Sequence, residues 1–275
     1  MSLYITSLNS GSNGNCYYIG NDNEAVLVDA GISCRETEKR MDRLGLKMEK
    51  VKAIFISHEH GDHIRGLEGL TAKYKLPVYI TAATLQKSRL RLPVAHIHPF
   101  RALEAVPVGG LAVVPFLKMH DAIDPHSFVI EGNGVKIGVF TDIGTVCGQV
   151  QAHFTQCHAV FLEANYDEAM LEQGRYPHHL KRRITGGEGH LSNKQALGLF
   201  INHRPERMTH LMLAHLSGDN NNPELVHHLF ASQAKNTNIT VASRHHEMPI
   251  THIVAQPTQT IVKKRVAHLQ QMALF

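Results

Sequence analysis

Cysteine is scarce: four residues in 275, Cys16, Cys34, Cys147 and Cys157, with no Cys-x-x-Cys pair among them. That spacing excludes a zinc ribbon and predicts a reduced, cytoplasmic setting. No stretch approaches the ~20 consecutive apolar residues of a membrane-spanning helix, so no membrane partner is expected. The N-terminus lacks both a basic segment and a long apolar core, so no secretion signal is expected. Aromatic residues make up 6% of the chain and nowhere cluster, which leaves no platform for stacking single-stranded bases. The net charge is only +4, permitting an anionic partner without demanding one and fixing no oligomeric state. No proline- or serine-rich linker divides the sequence. One domain over residues 1–275 is expected, with a helical tail at about 258–275, where Val262, Val266 and Leu269 fall at helical spacing.

Histidine, by contrast, is abundant: 21 residues against 28 Lys and Arg. Single histidines therefore prove nothing, and only spacing and context separate ligands from background. The decisive run is His58-Glu59-His60-Gly61-Asp62-His63, directly after the apolar stretch 53–56. At a strand end side chains alternate faces, so His58 and His60 point the same way. Gly61 permits a sharp turn, and Asp62 and His63 then open a helix facing the same cavity.

Apolar runs at 4–8, 16–19, 25–28, 53–56, 78–80, 111–116, 127–130, 135–140, 160–162, 211–213 and 241–243 predict strands. Helices are predicted from the N-cap Ser33 to about Leu44, from near Asp62, and over 82–90, 194–202 and 223–231. Strands followed by helices in both halves predict two mixed sheets packed face to face with helices outside, an α/β architecture.

A dinuclear centre needs ligands beyond the histidine-rich run. His120, Asp142 and His215 each follow an apolar run, as site residues do at strand ends in α/β sheets. The expected assignment gives His58, His60 and His120 to one ion and Asp62, His63 and His215 to the other, with Asp142 bridging. Two divalent ions, zinc, manganese or iron, suit this donor set. They would acidify a shared water and clamp attacking and leaving oxygens, with Asp62 orienting the nucleophile.

In this order, a strand ending in Asp29, the His-x-His-x-Asp-His loop, then His120, Asp142 and His215, the chain resembles the metallo-β-lactamase superfamily over residues 1–247. The resemblance implies a four-layered αβ/βα sandwich with the site at the edge between the sheets, and places Asp29 behind the ligands. Three segments resemble the YycJ/WalJ/VicX group of bacterial metallohydrolases more specifically: Ser10-Gly11-Ser12-Asn13-Gly14-Asn15; Gly174-Arg175-Tyr176-Pro177 with Lys181-Arg182-Arg183; and Gly189-His190-Leu191-Ser192-Asn193 with Ala214-His215-Leu216-Ser217. That group implies a 5′-to-3′ exonuclease on double-stranded DNA. It also calls for His at position 166, where this chain has Tyr166, so a role for that side chain does not carry over.

His190 resembles the late histidine of superfamily nucleases and is expected to protonate the leaving oxygen. Arg175, Lys181, Arg182 and Arg183 are expected at phosphates. Ser10 and Asn13 offer an anion cradle on a strand-end loop, and Asn193 is expected at the substrate. The stretch from His120 to Asp142 leaves no room for the long arm of tRNA-processing relatives. The alternative is a small-molecule metallohydrolase of a thioester, lactone or cyclic phosphodiester; a third is a binding module that keeps the fold and senses metal or nucleotide.

Overall fold

The computed structural model describes residues 2–255; the expected tail at 258–275 lies outside them. The strands are β1 (Ser2–Asn9), β2 (Cys16–Gly20), β3 (Ala25–Val28), β4 (Val51–Phe55), β5 (Val78–Tyr79), β6 (Ile97–His98), β7 (Val106–Val108), β8 (Leu111–Leu117), β9 (His126–Gly132), β10 (Val135–Phe140), β11 (Ala159–Glu163), β12 (His210–Ala214), β13 (Asn238–Val241) and β14 (Thr251–Val254). They form two seven-stranded sheets, ordered β14-β1-β2-β3-β4-β5-β6 and β13-β12-β11-β10-β9-β8-β7.

Each sheet is antiparallel in one half and parallel in the other. Short turns make the antiparallel half. Between β9 and β10, Asn133 and Gly134 both take left-handed φ, 52° and 75°, the pair a two-residue hairpin demands. Parallel neighbours need crossovers, and helices supply them. In the first sheet these are α1 (Cys34–Arg43), α2 (Gly61–Ile64), α3 (Leu67–Tyr74) and α4 (Ala82–Ser88). In the second they are α5 (Gly148–Phe154), α6 (Glu168–Gln173), α7 (His178–Thr185), α8 (Asn193–His203) and α9 (Pro223–Ala231).

Strand alternation divides the apolar residues among three cores. In β3, Val26 and Val28 face the second sheet while Ala25 and Leu27 face the helices α1 and α3. In β11, Ala159 and Phe161 point into the inter-sheet core and Val160 and Leu162 point out under α8 and α9. Strands buried on both faces read as unbroken apolar runs, which is why these were legible in the sequence. The result is the expected four-layered sandwich.

The elements missed lack that signal. β6 has two residues and β7 carries Pro107, while α6 and α7 are largely polar. The last predicted strand, 241–243, instead spans Asn238–Val241, because β13 pairs in parallel with β12 from His210↔Asn238 onward, a register its Asn and Thr do not advertise. Among the described residues no helix is long and apolar enough to cross a membrane.

Candidate metal centre

One edge of the sandwich collects the polar residues that end buried strands. Asp29 follows β3, His58 follows β4, His120 follows β8, Asp142 follows β10, Glu163 ends β11 and His215 follows β12. Asp29, Asp142 and His215 all have left-handed backbones, with φ of 61°, 55° and 55°. Such conformations are strained for non-glycine residues and concentrate at functional sites. Here they turn three strand-end side chains sharply toward a common point.

The histidine-rich loop starts where β4 stops. Ser57 is anchored by Asp29, whose carboxylate accepts from the Ser57 amide (2.8 Å) and hydroxyl (2.9 Å). The same carboxylate accepts from His63 Nδ1 at 2.7 Å. The Ser57 hydroxyl, donating to Asp29, in turn accepts from His58 Nδ1 at 2.9 Å. Asp29 thereby holds the Nδ1 proton of His63 directly and that of His58 through Ser57, leaving Nε2 as the atom each ring turns to the centre. His120 Nδ1 donates to the Gly189 carbonyl at 3.0 Å, so its Nε2 is turned there too.

Two groups of donors result. In the first, His58 Nε2 lies 3.1 Å and His120 Nε2 3.3 Å from His60 Nδ1. Two lone pairs point at one ring nitrogen, which has a single proton at most to offer. A cation satisfies all three nitrogens at once. Burial holds His58 well below its ordinary pKa, lowers His60, and brings His120 to about 4, so these rings are neutral, as ligands must be.

In the second group, His63 Nε2 lies 3.5 Å from Asp62 Oδ2 and His215 Nε2 is also 3.5 Å from that oxygen. Burial would lower both imidazoles. The surrounding carboxylates overcome it, Asp142, Asp29 and Asp62 raising His63, and Asp142, Asp62 and Glu163 bringing His215 to about 10. Burial likewise opposes ionisation of Asp62 and Asp142, yet the neighbouring His63 and His215 hold both carboxyls below their ordinary range. Without a metal this half neutralises itself with protons.

Asp142 lies between the groups. Its Oδ2 is 3.1 Å from His63 Nε2 and its Oδ1 is 3.5 Å from His215 Nε2 and 3.8 Å from His120 Nε2. Oδ2 is buried, and among the described residues its close neighbour His63 Nε2 does not meet it in hydrogen-bond geometry. An orphaned carboxylate oxygen between converging imidazoles is the arrangement a divalent ion completes, and the donor set fits zinc, manganese or iron.

Glu163 is the main residue that sequence reading missed. It is fully buried. Its Oε1 accepts from His190 Nδ1 (2.7 Å) and His215 Nδ1 (3.0 Å), and its Oε2 from the amides of Ile143 (2.7 Å) and Leu191 (3.2 Å). Burial penalises its charge, but His190 and His215 keep it ionised, down to about 2. The available signal was a lone acid ending the apolar run 159–162. Asn15 was also missed as an individual residue: its Nδ2 reaches Asp62 Oδ2 at 3.2 Å.

The remaining expected site residues scatter. Ser10 is buried, its hydroxyl accepting from the His215 amide at 2.8 Å. Asn13 donates to the Arg244 carbonyl at 2.7 Å. Ser10 and Asn13 therefore spend these groups on the protein rather than on an open anion cradle. Asn193 is also buried and exchanges amide hydrogen bonds with Asn221 (3.0 and 2.8 Å), which turns its side chain into the protein and away from a substrate. Arg183 pairs with Asp121 next to His120, and Arg182 donates to His178 (3.0 Å). Both line an open cleft of about 510 Å³ with Asp121 and Gly187. Lys181 instead donates to the Glu172 carbonyl, and Arg175 is exposed outside that cleft. Tyr166 packs with Leu171 and Ile184 in a small apolar cluster.

A sandwich of two mixed sheets with a histidine–aspartate centre on its edge defines a class, the metal-dependent hydrolases of the metallo-β-lactamase fold. A family model described as a beta-lactamase superfamily domain matches residues 24–213, and the chain belongs to that superfamily. It is similar to the exodeoxyribonuclease YycJ of Bacillus anthracis, 36% identical over 228 residues, covering 82% of this chain and 86% of the relative. It is also similar to the exodeoxyribonuclease WalJ of Streptococcus pneumoniae, 30% identical over 239 residues, covering 85% and 89%. Among solved structures, the metallo-beta-lactamase fold protein YhfI of Bacillus subtilis superposes with a TM-score of 0.71 at 14% identity, covering 90% of this chain and 99% of that one, which speaks to the fold alone.

Proposed function

We propose that the chain is a phosphodiesterase that shortens double-stranded DNA from its 5′ end, using two divalent ions in the cytoplasm. His58, His60 and His120 hold one ion in this reading, Asp62, His63 and His215 the other, and Asp142 bridges. Bound there, the ions, zinc, manganese or iron, supply Lewis acidity toward a phosphoryl oxygen and lower the pKa of water. Asp62 is tied through Oδ2 to Asn15, and its other oxygen has no side-chain partner among the described residues, so it accepts a hydrogen bond from the attacking water and orients it.

The observation that carries the reading is His190. Its Nδ1 is committed to Glu163, its Nε2 has no protein partner among the described residues, and its ring lies 5.3 Å from that of His120 and 5.2 Å from that of His215. The side chain is 19% exposed, so it borders both donor groups yet reaches solvent. Here Nε2 delivers a proton to the departing oxygen, while the buried Glu163 carboxylate accepts from Nδ1 and orients the ring. Such general acids contribute about 10²–10⁴-fold. The two relatives named as exodeoxyribonucleases and the cleft beside Arg182 and Arg183 support a nucleic-acid substrate.

The test is purified protein loaded with manganese or zinc and given linear duplex DNA labelled at one end. A 5′ label is released first, and covalently closed circles survive. His190→Ala keeps its metal and loses most of the activity. If the metal-loaded protein leaves both DNA and bis(p-nitrophenyl) phosphate intact, the proposal fails. Cleavage of thioesters, lactones or cyclic phosphodiesters without DNA cleavage would put a small-molecule hydrolase in its place.

A further inference from the structure

Beyond the metal centre, the same sheet edge carries a second concave feature. A cavity of about 450 Å³ opens at the C-terminal ends of β12 and β13, within the range of small-ligand sites, roughly 300–1,000 Å³. Its walls include Ser10, Ser217, Gly218, Ser243 and Arg244. Parallel neighbours in a sheet are ~4.8 Å apart, so this cavity is the next place along the edge from the His215 strand, on the side away from the Arg182–Arg183 cleft. Ser10 ties the two places together, lining the cavity while its hydroxyl accepts from the His215 amide.

The chemistry of the cavity is that of an anion site. Arg244 is half-buried, and among the described residues its guanidinium has neither a carboxylate partner nor a hydrogen-bond acceptor. Asn13 holds its carbonyl, and the guanidinium packs directly on Gly218, where an added Cβ would fall 1.7 Å from Nη1. The Ser217 hydroxyl oxygen accepts from the amides of Asp219 (3.4 Å) and Asn220 (3.2 Å), and that of Ser243 from the amide of His245 (3.1 Å). The Ser217 hydroxyl keeps its own proton to donate, and the Ser243 hydroxyl has His246 Nδ1 at 3.4 Å as a neighbour that a stronger acceptor would displace. Helix α9 starts at the wall with Pro223, adding the positive end of its dipole. Among the described residues the single lining carboxylate is Glu224, exposed on the first turn of that helix.

We propose that this cavity binds the terminal phosphate monoester of a nucleic-acid strand whose next phosphodiester lies at the metals. Arg244 pairs with the dianion, Ser217 and Ser243 donate to it, and the site measures the strand from its end. The inference rests on the nuclease reading and explains how a hydrolase with an open edge would act on ends.

The experiment compares metal-loaded wild type, Arg244→Met, Arg244→Lys and Glu224→Gln on linear duplexes carrying 5′-phosphate, 5′-hydroxyl or 3′-phosphate ends. Wild type prefers a phosphorylated end by on the order of tenfold, the worth of one charge-assisted contact. Arg244→Met brings that ratio close to one, and Arg244→Lys restores part of it. Glu224→Gln raises the ratio by about twofold, as loss of an exposed repulsive charge does, and guards against misfolding of the arginine variants. Preference for 5′- or 3′-phosphate says which end the cavity reads. Equal rates on phosphate and hydroxyl ends in wild type, or a ratio that Arg244→Met leaves unchanged, overturn the proposal. Should no duplex be cut, the nuclease reading falls, and titration with deoxyadenosine 5′-monophosphate against deoxyadenosine decides the cavity separately: roughly tenfold weaker monophosphate binding in Arg244→Met supports it, unchanged binding refutes it.

Discussion

The two halves of the metal centre solve the problem of a buried charge in opposite ways. Around His58, His60 and His120, burial has driven protons off, leaving neutral nitrogens with lone pairs aimed at each other. Around Asp62, His63 and His215, a surplus of carboxylates has drawn protons in, and each imidazole sits in an ion pair. The difference teaches that the same residue type is prepared for a cation by two routes. One half is frustrated until an ion arrives. The other is satisfied without one and must exchange protons for it.

Asp142 is the point where the comparison breaks most severely, because its carboxylate touches both halves, Oδ2 facing His63 and Oδ1 facing His215 and His120. Asp142→Ala should lower activity on the order of 10³-fold or more, since several kcal/mol of charge stabilisation depends on the ions it positions. Elemental analysis should show both ions depleted; retention of two would refute its bridging place. Glu163→Gln should act on one half alone. A glutamine amide cannot accept from both His190 and His215 as the carboxylate does, so metal affinity at the carboxylate-rich half should fall about 10–100-fold. Chelator competition would measure it, and equal loss from both halves would erase the distinction.

Acidity separates the halves more gently. His215, raised to about 10, is protonated in the metal-free protein at neutral pH, as is the raised His63. Metal must displace those protons. Affinity at this half therefore rises with pH, about tenfold per unit for each proton displaced, until pH passes the raised values. The imidazole half, whose three rings are all lowered below the ordinary histidine value, should bind with little pH dependence from neutral pH upward. Calorimetry in buffers of different ionisation heat counts the protons released, and none released would contradict the ion-paired state. The smallest effect is expected from Asn15→Ala, which removes one hydrogen bond from Asp62 Oδ2, about 1 kcal/mol or a few-fold in metal affinity at that half, readable by the same titration.

The amino-acid order alone determined the sandwich and where its polar strand ends would fall. Buried strands write themselves as apolar runs, period-two alternation splits them between cores, and a dense His-x-His-x-Asp-His loop can serve little else. His120, Asp142 and His215 were legible because each interrupts such a run at its end. Glu163 does so too, but its meaning came only from the lateral order of strands, which brings β11 between β10 and β12 and its carboxylate under His190 and His215. Strand order is set by crossovers and burial, not by neighbours in the chain. The same cause hid the fate of Asn193, which a partner 28 positions away locks inside the protein, and the cavity at Arg244, whose walls come from the first loop and the last strands. Local pattern fixes which side chains end a strand; only the folded arrangement decides which of them meet.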